Sequence, residues 1–434
     1  MNKMDILFQN VTAVTMNPDG SILENTCIGI TGGKIVWLSQ QPPAIKPART
    51  LTGSHWVVMP GFINTHTHLP MTLLRGYAED MALHDWLFGK IIPVENNMRP
   101  SDIVTGTLLG LAEAAAAGVT SVTDMYNDTT FMAQVAADSG LKANLGRGLV
   151  CLDDTPYDDL KGVAEMREAF RQWHGHDDGR IVIDASAHTE FTFQSRLWRL
   201  LADEAREKKM RMHIHISETR REHDECVAKR GVTPTAALAE HGVFDVPATV
   251  AHGVWLTDED MDILAQYGAT VAHCPVSNMK LASGAARLSA LREHGVNTSL
   301  GSDSMASHNA MDMCAEMKTA CLLQKVSTLN PQALTVGDAL AMATRNGAKS
   351  QGREKECGQI AVGFDADLAV FDFDKPHLTP CFDVMAHLVY AARASDVIMT
   401  LVRGRLVYDR GAYLTIDLEK VLFDLRREVL PHLF

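Results

Sequence analysis

From about residue 57 onward, short β-branched or apolar runs alternate with longer stretches of helical periodicity. Residues 57–62, 120–124, 143–150, 181–187, 212–217, 249–252, 270–273 and 297–301 read as strands. Between them lie helix candidates at 101–117, with Ser101 and Asp102 as its cap, at 195–208, and at 257–266, where Thr257 opens an acidic turn followed by Met261, Ile263 and Leu264. Eight strands, each trailed by a helix, predict an α/β fold, a (β/α)8 barrel. A doubly wound open sheet is the competing architecture, but no Gly-x-Gly-x-x-Gly occurs to cradle a phosphate.

The two ends have a different pattern. Residues 5–57 and 358–415 carry short strands, such as Ile6-Leu7-Phe8, Cys27-Ile28-Gly29-Ile30 and Leu368-Ala369-Val370-Phe371, joined by Gly, Asn and Asp turns. Neither end is long enough for a stable β domain alone. Residues 1–57 and 356–434 are therefore expected to pair into one small β-sandwich, with the barrel at 58–355 inserted between them. The length, 434 residues, exceeds the size at which a single core stops growing, which suits one large unit and one small one.

Charge narrows the partner. A formal net charge of -13 argues against nucleic acid and anionic membrane, both of which need a basic footprint. A small solute fits better. The eight cysteines contain no Cys-x-x-Cys pair and read as buried thiols of a reducing compartment. Residues 1–10 lack a signal-peptide core, and no apolar run approaches the ~20 residues that cross a bilayer. A cytoplasmic protein, assembled as a homo-oligomer, is expected.

The candidate chemistry begins where an apolar run enters Asn64-Thr65-His66-Thr67-His68. Side chains two apart on a strand share one side, so both imidazoles can converge on one metal ion. A barrel enzyme gathers its chemistry at the C-terminal ends of its strands. The residues expected there are His66, His68, His188, His215, His252 and Asp303. Any one of them could be an ordinary hydrogen-bonded rim residue, but six at one rim are hard to explain that way. Two imidazoles from strand one, one from strand five and a carboxylate from strand eight would make a His3Asp shell with room for water. Residues 184–190 offer no lysine to bridge a metal pair, so one divalent metal per subunit is expected. Pro-Cys-x-x-Cys, His-Glu-x-x-His and Gly-x-Ser-x-Gly are all absent, which excludes the zinc deaminases of that first type, zincin proteases and esterase elbows.

Over essentially its whole length the chain resembles the amidohydrolase superfamily, most closely its aminohydrolase branch of S-adenosylhomocysteine and 5′-methylthioadenosine deaminases. The segments that carry the resemblance include Pro60-Gly61-Phe62-Ile63-Asn64-Thr65-His66-Thr67-His68, Pro93-Val94-Glu95, His215-Ile216-Ser217-Glu218-Thr219, Val250-Ala251-His252-Gly253 and His273-Cys274-Pro275-Val276-Ser277-Asn278. The resemblance implies a mononuclear centre of His66, His68, His215 and Asp303 holding zinc, or sometimes iron. It also implies catalytic roles for Glu218, His252 and Asp303 beside the metal's water, with Glu95, Arg147 and His188 facing the sugar and tail of a nucleoside. The implied reaction is hydrolytic deamination of a 5′-substituted adenosine to the inosine analogue, with release of ammonia. Glu218 would carry a proton to the purine ring, a general-acid role.

Two departures bear on the substrate. After the metal aspartate these deaminases usually read Gly-Ala-Ala-Ser-Asn-Asn, whereas this chain reads Ser304-Met305-Ala306-Ser307-His308-Asn309. An anionic tail suits a bidentate arginine, which Arg147 could provide, but the second arginine expected soon after it is missing from the acidic segment 153–160. Smaller 5′-modified adenosines are thereby favoured over S-adenosylhomocysteine. Two other readings stay open: the same chemistry on guanine, a pterin or a triazine, and a barrel kept only as an assembly module.

Overall fold

A computed structural model describes residues 4–434, and their strands fall into two sheets. The first sheet contains eight strands that pair in chain order, each parallel to the next: Phe62–His68, Val119–Tyr126, Lys142–Arg147, Ile181–Thr189, Met212–Ile216, Ala248–His252, Thr270–His273 and Asn297–Leu300. Strand eight then passes Gly301 and Ser302, and its continuation Asp303–Ser304 pairs with Thr67 and His68 of strand one. The sheet closes on itself as the expected (β/α)8 barrel. Its outer face, including Ile181, Ile183, Ala185 and Ala187, is buried in one core with apolar residues of the surrounding helices, such as Leu111, Met166, Leu197 and Leu264. A sheet covered on that face explains why the strands read as near-continuous apolar runs.

Strand one lies later than expected. Trp56–Pro60 pairs antiparallel with Leu368–Asp372 and parallel with Thr12 and Ala13, so it belongs to the outer sheet, and the barrel starts at Phe62. The division falls at Gly61. Its N–H donates to Asp367 O at 2.9 Å, while the next amide, of Phe62, donates to Gly118 O at 2.9 Å. A Cβ at Gly61 would lie 2.1 Å from the Thr120 side chain, so the chain can change sheets there only as glycine.

The helix expected at 101–117 runs Pro100–Ala116. Its start is set by proline in the first turn and by the Asp102 carboxylate accepting the Arg99 N–H at 2.8 Å, with Ser101 already inside. Helix Asp258–Gln266 opens as read, since Thr257 and Asp260 cap each other's backbone amides at 3.1 and 3.0 Å. Among the described residues, no helix is long and apolar enough to cross a membrane.

Both chain ends build the second sheet, in which Trp56–Pro60 and Leu368–Asp372 lie side by side at the centre of one hydrogen-bonded path. The sheet wraps its own core, with Phe8, Ile28, Ile30, Ile35, Val58, Leu368, Val370, Met399 and Leu401 all buried. Where it meets the barrel, the buried ammonium of Lys142, the first residue of strand three, lies 2.6 Å from both Asp365 and Asp367. Lys34 and Arg403 add further positive charge to Asp365, at 2.6 and 3.3 Å. Asp367 accepts the Arg403 backbone N–H at 2.7 Å but has no second cation within 4 Å among the described residues, so Lys142→Met leaves a buried carboxylate without its ion pair. The expected cost is about 3–5 kcal/mol. Calorimetry should show this as a thermal midpoint several degrees lower, with Lys34→Met far milder.

Candidate metal centre

Barrel closure sets the ends of strands one, five, six and eight around one point. Asp303 Oδ1 lies 3.4 Å from His66 Nε2 and 3.3 Å from His68 Nε2, and His215 Nε2 lies 3.3 Å from His68 Nε2. Donor atoms of His66, His215 and His252 also fall within 4.8 Å of one another. Three non-glycine residues beside these strand ends hold left-handed backbone: Ser217 (φ 48°), His252 (φ 71°) and Asp303 (φ 59°). Each such conformation costs on the order of 1–3 kcal/mol and persists only where its surroundings over-determine it. Ser217 O accepts the N–H groups of Val254 and Trp255 at 3.1 and 3.0 Å, tying the ends of strands five and six together.

Hydrogen bonds on the far side of each ring set what faces the centre. His68 Nδ1–H donates to Met125 O at 2.6 Å, and His215 Nδ1–H donates to His188 O at 2.7 Å. Because a carbonyl only accepts, each Nε2 presents a lone pair whenever its ring is neutral. His66 Nδ1 lies 3.0 Å from His213 Nε2, and His66 Nε2 is buried without a hydrogen-bond partner among the described residues. An orphaned buried nitrogen, two further imidazole lone pairs and a carboxylate make a donor set that suits a divalent transition metal. His252 differs from these rings. The Asn278 side-chain amide donates to its Nδ1 at 3.0 Å, which leaves the proton on Nε2, 3.6 Å from Glu218 Oε2. That ring is set to donate a hydrogen bond.

Charge is divided within the cluster. Burial alone would raise the Asp303 carboxyl, but the His66 and His68 rings beside its Oδ1 hold it well below the usual carboxylate range. Ser277 and Ser307 hydroxyls donate to its Oδ2 at 2.6 and 3.1 Å. His68 is pulled down by burial but more strongly up by the hydrogen bond and charge of Asp303, and reaches about 9. Burial lowers His252 to about 3 and pushes the Glu218 carboxyl well above its usual range, an effect reinforced by the charges of Asp303 and Glu222. The two carboxyls at this centre are therefore pushed in opposite directions.

The outer candidates divide. His188 lies with its ring 5.0 Å from that of His215 and is pushed down to about 4, mainly by burial. Glu95 accepts the Tyr126 hydroxyl, and the Tyr126 ring lies 6.5 Å from that of His68. Arg147 is not brought to the cluster. It follows Ala143 and Leu145 on the outward face of strand three, donating from Nε to Glu165 at 2.6 Å and from a terminal nitrogen to Gly148 O at 2.7 Å. Sequence reasoning missed His213, Ser277, Asn278 and Ser307. His213 repeats with His215 the spacing of His66 and His68, which is a readable signal, whereas nothing marks the two serines as partners of Asp303. The unusual loop after Asp303 contains His308, whose Nε2 lies 2.7 Å from the buried Glu316 carboxyl.

A closed parallel barrel with imidazoles and a carboxylate converging at its C-terminal rim defines a metal-dependent hydrolase scaffold, and the amidohydrolase family model matches residues 57–407. The chain belongs to the amidohydrolase family. It is 38% identical to a 5-methylthioadenosine/S-adenosylhomocysteine deaminase of Acetivibrio thermocellus over 98% of each chain. It is 41% identical to a 5′-deoxyadenosine deaminase of Methanosarcina acetivorans over 97% of each. A solved adenosine deaminase from Xanthomonas campestris with bound zinc superposes with a TM-score of 0.92, at 31% identity and 98% coverage of each chain.

The crossing of strands one and eight leaves no room for a side chain at Gly301, where a Cβ would lie 2.7 Å from His66 Cβ. Gly301→Ala must displace His66 relative to Asp303. Metal affinity, measured by chelator competition, should fall about tenfold or more while the circular dichroism spectrum is retained.

Proposed function

We propose that this protein is a metal-dependent aminohydrolase that converts 5′-substituted adenosines to the corresponding inosines and ammonia. The observation that carries this reading is Glu218, a buried carboxyl raised well above its usual range, placed 3.6 Å from His252 and beside the Asp303 cluster. Full-length likeness to relatives named for this chemistry supports it. In this reading one divalent metal, zinc, is held by His66, His68, His215 and Asp303. When bound, such a metal acidifies water enough to provide a nucleophile at neutral pH.

The chain's own residues supply the rest. Neutral Glu218 gives its proton to the purine ring nitrogen next to the attacked carbon, so that charge does not build on the ring. His252 donates from Nε2 and orients the attacking oxygen. Asp303, kept ionised with Ser277 and Ser307 on its other oxygen, takes up one proton of the attacking water and returns it to the departing ammonia, while the remaining hydroxyl proton goes back to Glu218 as the C–N bond breaks and the carbonyl forms. Glu95, already holding the Tyr126 hydroxyl, has acceptor capacity left for ribose hydroxyls.

Arg147 bears on the choice of tail. With its guanidinium engaged by Glu165, it is not free to pair with a homocysteine carboxylate, which favours small uncharged 5′ groups such as those of 5′-deoxyadenosine and 5′-methylthioadenosine. Seven of the eight cysteines are buried and none is paired, which supports a cytoplasmic setting.

Ammonia release is the test. Activity on 5′-deoxyadenosine or 5′-methylthioadenosine should exceed that on S-adenosylhomocysteine, and guanine, pterins and triazines should be poor. Glu218→Gln should keep its metal and lose about 10²–10⁴-fold in kcat. Preference for guanine or a triazine, or a Glu218→Gln variant as fast as the parent, would overturn the assignment.

A further inference from the structure

We propose that His213 is a positioning residue which holds His66 in the tautomer that can bind metal, so that the centre's affinity depends on a side chain outside the ligand set. The proposal rests on the reading of His66 as a ligand. Of the three imidazoles assigned as ligands, His68 and His215 donate Nδ1–H to main-chain carbonyls, at 2.6 and 2.7 Å. Those partners accept only, and no substitution removes them. His66 alone relies on a side chain. Its Nδ1 lies 3.0 Å from His213 Nε2, with the two rings edge-on at 89° and both residues fully buried.

An imidazole partner, unlike a carbonyl, has two neutral forms. With the His213 proton on Nδ1, its Nε2 accepts from His66 Nδ1–H and leaves His66 Nε2 bare for a ligand bond. With the proton on Nε2, His213 donates instead, and the His66 proton moves to Nε2, where it faces Asp303 Oδ1 at 3.4 Å and blocks ligation. The pair contains the same number of protons in either state. His213 Nδ1 is itself buried without a hydrogen-bond partner among the described residues, so an N–H there is left unsatisfied. Metal binding is what selects the His66 Nδ1–H form, and an acceptor at the His213 Nε2 position is what permits it.

Three substitutions separate this role from packing. His213→Gln places an amide oxygen near the position of Nε2, His213→Asn reaches only the position of Nδ1, and His213→Leu fills the space without an acceptor. Zinc affinity by chelator competition and the electronic spectrum of the cobalt-substituted protein are the readouts. His213→Leu and His213→Asn should lose about 10–100-fold in affinity with an altered cobalt spectrum. His213→Gln should lose less than about tenfold, the lower end of second-sphere effects. Parental affinity and spectrum in His213→Leu, or equal losses in His213→Gln and His213→Leu, would overturn the proposal. Should His213→Leu fail to fold, the contrast between His213→Gln and His213→Asn decides on the same terms. His66→Asn is the control: a large loss supports the ligand reading, and unchanged affinity overturns that reading and the proposal with it.

Discussion

Pairing of Asp303 and Ser304 with Thr67 and His68 closes the barrel, and it also brings a carboxylate from the last strand against two imidazoles of the first. Without that closure His66 and His68 would be two histidines on a strand edge. Closure demands that the strands approach at Gly301, and it draws Asp303 into left-handed backbone so that its side chain turns inward. The geometry of the site and the continuity of the sheet are thus one constraint.

Burial follows from that arrangement, and it determines the charges. Histidines removed from water resist protonation, as His213, His215 and His252 do, while a carboxylate removed from water needs donors. Asp303 has two serine hydroxyls and the His66 and His68 rings beside it, whereas Glu218 faces other carboxylates, one distant hydroxyl at 3.5 Å and the His252 ring at 3.6 Å. The same low-dielectric environment therefore favours the ionised form of one acid and the neutral form of the other. This difference is produced by partners, not by depth, since both carboxyls are buried.

Much of this was legible in the chain. Strands such as Ile181–Thr189 and Met212–Ile216 announced themselves because parallel strands under helices are apolar along most of their length, and the ligands because period-two spacing at strand ends survives folding unchanged. Trp56–Pro60 and Phe62–His68 merged into one expected strand because both are apolar and only Gly61 separates them. A sheet change made by one residue leaves no periodic mark. The Asp303 serines were hidden for another reason: Ser277 and Ser307 sit in a short helix and a loop where hydroxyls usually serve local backbone.

Arg147 marks the limit of reading residues one at a time. It is the last residue of strand three, but whether its charge is available depends on Glu165, which lies on the following helix and turns toward strand three only once that helix packs. Lys161 also reaches Glu165, at 3.3 Å, but it is largely exposed and holds the carboxylate far less firmly than the mostly covered Arg147 does. A cation paired this closely offers a substrate carboxylate only the difference between two ion pairs. The substrate's tail must then be distinguished by fit and desolvation, and those terms favour a methylthio or methyl group over a solvated zwitterion.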